Sequence, residues 1–221
     1  MKFNFYFVHG WGLEQNLWSL VEAKVRQDKM CNFSEIIDLN FFSEDLIYRK
    51  KIKPSGQKDI FVVHSYGLNW FLKKKIECAT LINFFGAPNF INFQKKPYLA
   101  KKRISKMIKE FSNNPEEVLK SFYKKCNISF EKKKFINKEK LLSALIELES
   151  EDLCDNFHRS SCKIFSIYSQ EDKIFSSSDE SLRKLKRENH IIRYIKDYDH
   201  GFPVNEPYQC YKIIRNIVNG L

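Results

Sequence analysis

Ser65 stands in the run Val63-His64-Ser65-Tyr66-Gly67, after the apolar segment 59–63 and before a helical pattern over 68–72. A serine that ends a strand, opens a helix and has a glycine two positions on occupies a very sharp turn. There its hydroxyl stands clear of the sheet and can act as a nucleophile. Gly67 suits a helix that must leave at once and pack close to the strand. A second apolar run, 2–8, leads straight into His9-Gly10-Trp11-Gly12. The two glycines let this backbone approach a ligand, so that the Trp11 N–H can point at a developing oxyanion, with the Tyr66 N–H as the second donor. An acid and a histidine should follow the serine in that order, each on a loop after a strand. The run 163–168 precedes Ser169-Gln170-Glu171-Asp172, and the run 190–195 precedes a polar turn that ends in His200-Gly201. His200 would take the Ser65 proton and return it to the leaving alcohol, while Asp172 holds the imidazole tautomer and stabilises the imidazolium. Glu171 is the rival acid. Asp197 and Asp199 lie so near His200 that they read as loop residues, and His158 and His190 read as structural.

These positions need elements to carry them. The patterns predict strands over 2–8, 33–39, 59–64, 78–85, 163–168 and 190–195, with helices over 14–26, 67–76, 178–188 and 205–219. Alternation of β and α elements implies a mainly parallel sheet with helices on both faces. The stretch from about 90 to 157 breaks the alternation with helical patterns, as over 97–111 and 115–126. Pro115-Glu116-Glu117 reads as a helix start, with proline in the first turn and acids at the positive end of the dipole. There are no internal repeats and no long linker, so this stretch is an excursion of one domain.

The motifs together resemble one family. His9-Gly-Trp-Gly-Leu-Glu-Gln-Asn-Leu-Trp18, the Ser65 turn, Phe85-Gly-Ala-Pro88, Tyr168-Ser-Gln-Glu-Asp172 and Asp199-His-Gly-Phe-Pro203 are similar to the pimeloyl-acyl-carrier-protein methyl ester esterases of biotin synthesis, within the α/β-hydrolases. The similarity runs over nearly the whole chain. It implies an α/β-hydrolase core over 1–89 and 158–221, with residues 90–157 as a helical cap that shapes an acyl pocket. It implies Ser65, Asp172 and His200 as the catalytic triad, Trp11 and Tyr66 as oxyanion donors, and no cofactor or metal. Val63 stands where the family has glycine, and its β-branched side chain predicts a looser turn at the serine. The wider alternatives are a general short-chain carboxylesterase on the same machinery and a catalytically idle binding module of the same fold.

Composition sets further bounds. At 221 residues and 43% hydrophobic content, the chain can bury one sizeable core. No run approaches the roughly 20 apolar residues that span a bilayer. The N-terminal apolar run ends at once in His9-Gly10, unlike a secretory signal. The six cysteines, at 31, 78, 126, 154, 162 and 210, show no ligand-like spacing and read as free thiols of a cytoplasmic protein. A monomer is expected. Thirty of the 38 basic residues are lysine, as in proteins from A+T-rich genomes, but genome bias does not concentrate charge. Residues 90–140 hold 15 Lys/Arg against 5 Asp/Glu, which accounts for +10 of the net +11. In the resembling family, basic cap residues dock an acidic acyl carrier protein, and Lys101, Lys102, Arg103 and Lys106 are the candidates here. A solvated lysine-rich face is the plain alternative. Nucleic-acid binding would need exposed aromatics among the cations. Instead Phe90, Phe93, Tyr98, Phe111, Phe122 and Tyr123 have the helical spacing of a pocket lining or cap core.

Overall fold

The computed structural model describes residues 1–44 and 58–221. Among the described residues, six strands form one all-parallel sheet in the order β2-β1-β3-β4-β5-β6. They are β1 (Phe3–Val8), β2 (Cys31–Ile37), β3 (Asp59–His64), β4 (Thr80–Phe84), β5 (Lys163–Ser169) and β6 (His190–Ile195). The central strands β3 and β4 are buried along their whole length, because helices cover both faces of the sheet. The edge strands β2 and β6 are partly exposed to solvent along their length.

Helices α1 (Asn16–Arg26), α8 (Phe202–Asn205) and α9 (Pro207–Asn219) pack on one another, while α2 (Gly67–Lys73) packs on β3 and α6 (Cys154–Arg159). Between β4 and β5 lie α3 (Pro97–Phe111), α4 (Pro115–Lys125), α5 (Lys138–Ser150) and α6, with α3 packed against both α4 and α5. Pro97 and Pro115 open their helices from the first turn, where a missing N–H costs nothing. Among the described residues, no helix is long and apolar enough to cross a membrane, and no cluster of three or more His, Cys, Asp or Glu could hold a metal ion. All six cysteines are free thiols, four of them buried.

Several boundaries differ from the sequence expectation, each for a structural reason. The second strand runs over Cys31–Ile37 rather than 33–39, paired to β1 from Phe3 onward. The helix expected over 178–188 is only α7 (Asp179–Arg183). Beyond it the chain continues in tighter i→i+3 turns through Lys186, and the Arg187 guanidinium donates to the Phe157 and Cys162 carbonyls at 2.7 and 2.8 Å. The final helix, expected over 205–219, starts at Pro207 as α9, and the single turn of α8 that precedes it is not expected from the sequence.

Candidate active site

Ser65 follows β3 directly and precedes α2, with φ = +52°. A non-glycine residue held there costs roughly 1–3 kcal/mol and persists only where its surroundings fix it. Here the Ser65 N–H donates to the Phe84 carbonyl at 2.8 Å, and its own carbonyl accepts from the Leu68 N–H at 3.0 Å. Three glycines make the turn possible by their lack of a side chain. A Cβ at Gly67 would sit 2.9 Å from the Val8 carbonyl oxygen, and one at Gly86 would sit 2.7 Å from that of Ser65. A Cβ at Gly10 would lie 3.0 Å from the Ser65 Cβ, so the His9–Gly12 segment lies directly against the serine turn. The looser turn expected from Val63 is not found. Val63 is fully buried in β3, in register between Val8 and Asn83, and the strained Ser65 conformation forms after it.

His200 and Asp172 meet in the interior, with Nδ1 2.7 Å from Oδ2 and both side chains inaccessible to solvent. The other Asp172 oxygen accepts the Ile174 and Phe175 N–H groups at 2.7 and 3.0 Å, which fixes the carboxylate plane. Glu171, one position earlier, is exposed. Asp199 accepts from the Gly201 N–H and the Asn205 side chain at 3.0 Å each, as a loop residue does. The His200 Nε2 is buried and makes no hydrogen bond among the described residues, Ser65 included. The ring lies against His64 (4.6 Å between centroids), Phe85 and Phe122. Burial, and then the neighbouring His200, hold the His64 pKa well below its ordinary value. A neutral His64 donates from Nε2 to the His200 carbonyl at 2.9 Å and ties the serine turn to the histidine loop. His190 is likewise structural, bonded to the Leu185 carbonyl and the Ser166 hydroxyl, whereas His158 is exposed.

Gly12, at φ = +64°, turns the loop after Trp11. The Trp11 ring is buried against Phe111 and Phe122. His9 is set by Asp38 at 3.0 Å. Burial would raise the Asp38 pKa, but hydrogen bonds from His9 and the Asn40 N–H outweigh that and hold it at about 2.

Ser65 opens on a narrow cavity of about 50 Å³, whose apolar lining includes Trp11, Phe90, Ile104, Phe122 and Leu145. Arg103, Lys125 and Lys173 also line it, all exposed and without an ion pair among the described residues. The cavity shares Arg103, Met107, Phe122, Lys125 and Ile174 with a wider groove of about 390 Å³ between α3 and α4. Of the four cations singled out in the sequence, Arg103 lines both spaces and Lys106 lines the groove, 3.5 Å from Glu110. Lys101 and Lys102 are exposed on α3 but line neither. Lys173 carried no signal in the sequence beyond its place after Asp172. Phe90 and Phe122 line the cavity as their spacing suggests; Tyr98 does not, being 78% exposed.

No protein-family model and no curated protein matches the sequence. Solved structures match it in fold. An esterase from Exiguobacterium antarcticum superposes with a TM-score of 0.74 at 14% identity, over 98% of this chain and 92% of that one. A carboxylesterase from the thaumarchaeon Nitrososphaera gargenis gives 0.68 at 13% identity, over 99% and 90%. A bromoperoxidase from Bacillus anthracis gives 0.66 at 10% identity, over 99% and 92%. At these identities the likeness establishes the fold, which is the α/β-hydrolase fold.

Proposed function

We propose that this α/β-hydrolase chain is a serine carboxylesterase, with Ser65 as nucleophile, His200 as base and Asp172 as the acid behind it. The observation that carries the reading is the Ser65 turn: a strained serine between strand and helix, facing an apolar cavity, at the sheet end where a buried Asp172–His200 pair lies. The Ser65 Oγ attacks the ester carbonyl while the His200 Nε2 takes its proton, and the oxyanion receives the Trp11 and Tyr66 N–H groups. His200 then protonates the departing alcohol. A water molecule, deprotonated by the same nitrogen, cleaves the acyl–serine bond and leaves a free carboxylate and a restored Ser65. No step calls for a cofactor or metal.

The substrate we favour is the methyl ester of a pimeloyl chain on acyl carrier protein, in the cytoplasm, as the sequence resemblance implies; methanol is then the leaving alcohol. The apolar cavity rimmed by Arg103, Lys125 and Lys173 supports an apolar chain delivered by an acidic partner. The small volume of the cavity, about 50 Å³, instead favours a general short-chain esterase, and esters of graded acyl length separate the two. The unpartnered His200 Nε2 is the observation that favours an idle module. A fluorophosphonate probe settles activity. It should label the wild-type protein at Ser65 and leave Ser65→Ala unlabelled, because only an activated hydroxyl reacts. Ester turnover should fall on the order of a million-fold in Ser65→Ala. Folded wild-type protein that takes no label would remove the esterase reading.

A further inference from the structure

We infer that helix α5 holds both oxyanion donors in place, and that Glu147 is a positioning residue acting through Tyr66. The inference rests on the esterase reading. It starts from two hydrogen bonds made by the side chains of the two residues whose backbones would meet the oxyanion. The Trp11 indole N–H donates to the Leu141 carbonyl at 2.8 Å, and the Tyr66 hydroxyl donates to the Glu147 carboxylate at 2.5 Å. Leu141 and Glu147 both belong to α5. At about 1.5 Å of rise per residue they lie on the order of 9 Å apart along its axis. The helix therefore grips the His9–Gly12 segment near its start and the serine turn further along.

The second grip is reinforced. Lys73, at the end of the helix that leaves the serine turn, reaches Glu147 at 3.0 Å and Glu151 at 2.8 Å. The Lys73 ammonium also offsets the Glu147 charge, which would otherwise oppose a negative charge forming on the substrate. Burial, and then the bond to Glu147, push the Tyr66 phenol pKa up, so the hydroxyl stays a donor. A hydroxyl bound to a carboxylate is among the stronger and more directional hydrogen bonds. Leu145 and Leu148 of the same helix line the cavity in front of Ser65. The element that touches the acyl chain is thus the one that holds the donors.

Backbone donors stabilise a transition state only when they sit where the oxyanion forms, and a displacement of about 1 Å can cost up to a hundred-fold. A latch that merely holds α5 onto the core would give a different result, lower stability with unchanged chemistry. The test uses the full-length protein with p-nitrophenyl butyrate. Tyr66→Phe and Glu147→Ala should each lower kcat by roughly ten-fold with KM within about two-fold, since the loss is confined to the transition state. The double variant should be no slower than either single one, because both remove the same bond. Glu147→Gln, which keeps an acceptor for the hydroxyl, should recover most of kcat. Unchanged kcat in Tyr66→Phe, or additive losses in the double variant, overturns the inference. Should Glu147→Ala fail to fold, Tyr66→Phe decides alone, since it removes a single oxygen. Ser65→Ala separates the two levels of the argument. Activity that survives Ser65→Ala, or its absence from wild type, overturns the esterase reading and the inference with it. Loss in Ser65→Ala beside a wild-type kcat in Tyr66→Phe overturns the inference alone.

Discussion

At the scale of single residues, what separates Asp172 from Glu171 is a pair of backbone N–H groups. Ile174 and Phe175 bind one Asp172 oxygen and leave the other aimed at the His200 Nδ1, while Glu171 points to solvent. Asp172→Asn should therefore cost on the order of ten-thousand-fold in turnover by favouring the wrong imidazole tautomer. Glu171→Gln should stay within about two-fold of wild type, because a solvated carboxylate orients nothing. Steady-state kinetics of the two variants checks both, and a damaging Glu171→Gln would move the acid by one position. His64 gives a prediction of another kind. Its folded pKa lies well below the ordinary 6.5, so the folded protein holds it neutral. In the unfolded chain it takes up a proton below pH 6.5, where the unfolded state binds more protons than the folded one. Stability is thus fully present above that pH and falls as the pH drops, by up to about 1.4 kcal/mol per pH unit from this group. His190, lowered chiefly by burial, acts in the same direction. Urea midpoints at about pH 7.5 and about pH 5.5 should show the fall, and His64→Gln should lessen it. Equal sensitivity in the variant would mean that other groups carry the acid limb.

At the scale of elements, what could be read in the sequence depended on how many neighbours decided the outcome. The buried strands β3 and β4 announce themselves because a strand covered on both faces is apolar throughout. Pro97 and Pro115 mark the starts of α3 and α4 because proline acts locally. The edge strand β2 lies two residues earlier than its own pattern suggests, since its register is set by pairing with β1. The helix after β5 is short because Arg187 is drawn to carbonyls on α6 and before β5, contacts distant in sequence. The site divides in the same way. Ser65, Gly67, Gly10 and Gly12 are legible because a sharp turn and a close approach impose glycine at fixed offsets. Asp172 and His200 are legible by their order on loops after strands. Glu147, Lys73 and Lys173 are not, since nothing local marks a carboxylate on α5 as the partner of a tyrosine eighty-one residues earlier. Val63 is paired in register on both sides within the parallel sheet, and Ser65 takes its strained conformation directly after it.

At the scale of the whole molecule, the charge is the feature the fold leaves unspent. Of the net +11, +10 falls within residues 90–140. The acids of that stretch are partly committed, Glu110 to Lys106 and Glu116 and Glu117 to Lys120. Lys101, Lys102 and Arg103 remain exposed on α3 without an ion pair among the described residues. Arg103 sits where the cavity before Ser65 meets the groove between α3 and α4. If this face receives an acidic carrier protein, its effect lies in encounter and orientation rather than in bond-making. Replacing Lys101, Lys102 and Arg103 by glutamate should then lower kcat/KM for a carrier-linked methyl ester by at least about ten-fold at low salt, mainly through association. The same variant should hydrolyse p-nitrophenyl acetate at close to the wild-type rate, because an uncharged small ester is not steered by the field. Exposed charges are screened over roughly 8 Å at physiological ionic strength, so wild-type turnover of the carrier substrate should fall as salt rises. The variant should lose most of that dependence. Equal effects on both substrates would point to the short-chain esterase, and no effect on either would leave the lysines of α3 as a solvated face. A wild-type rate on the carrier substrate at low salt would shift attention to Lys125 and Lys173, the other cations at the cavity, as the residues that meet the partner's charge.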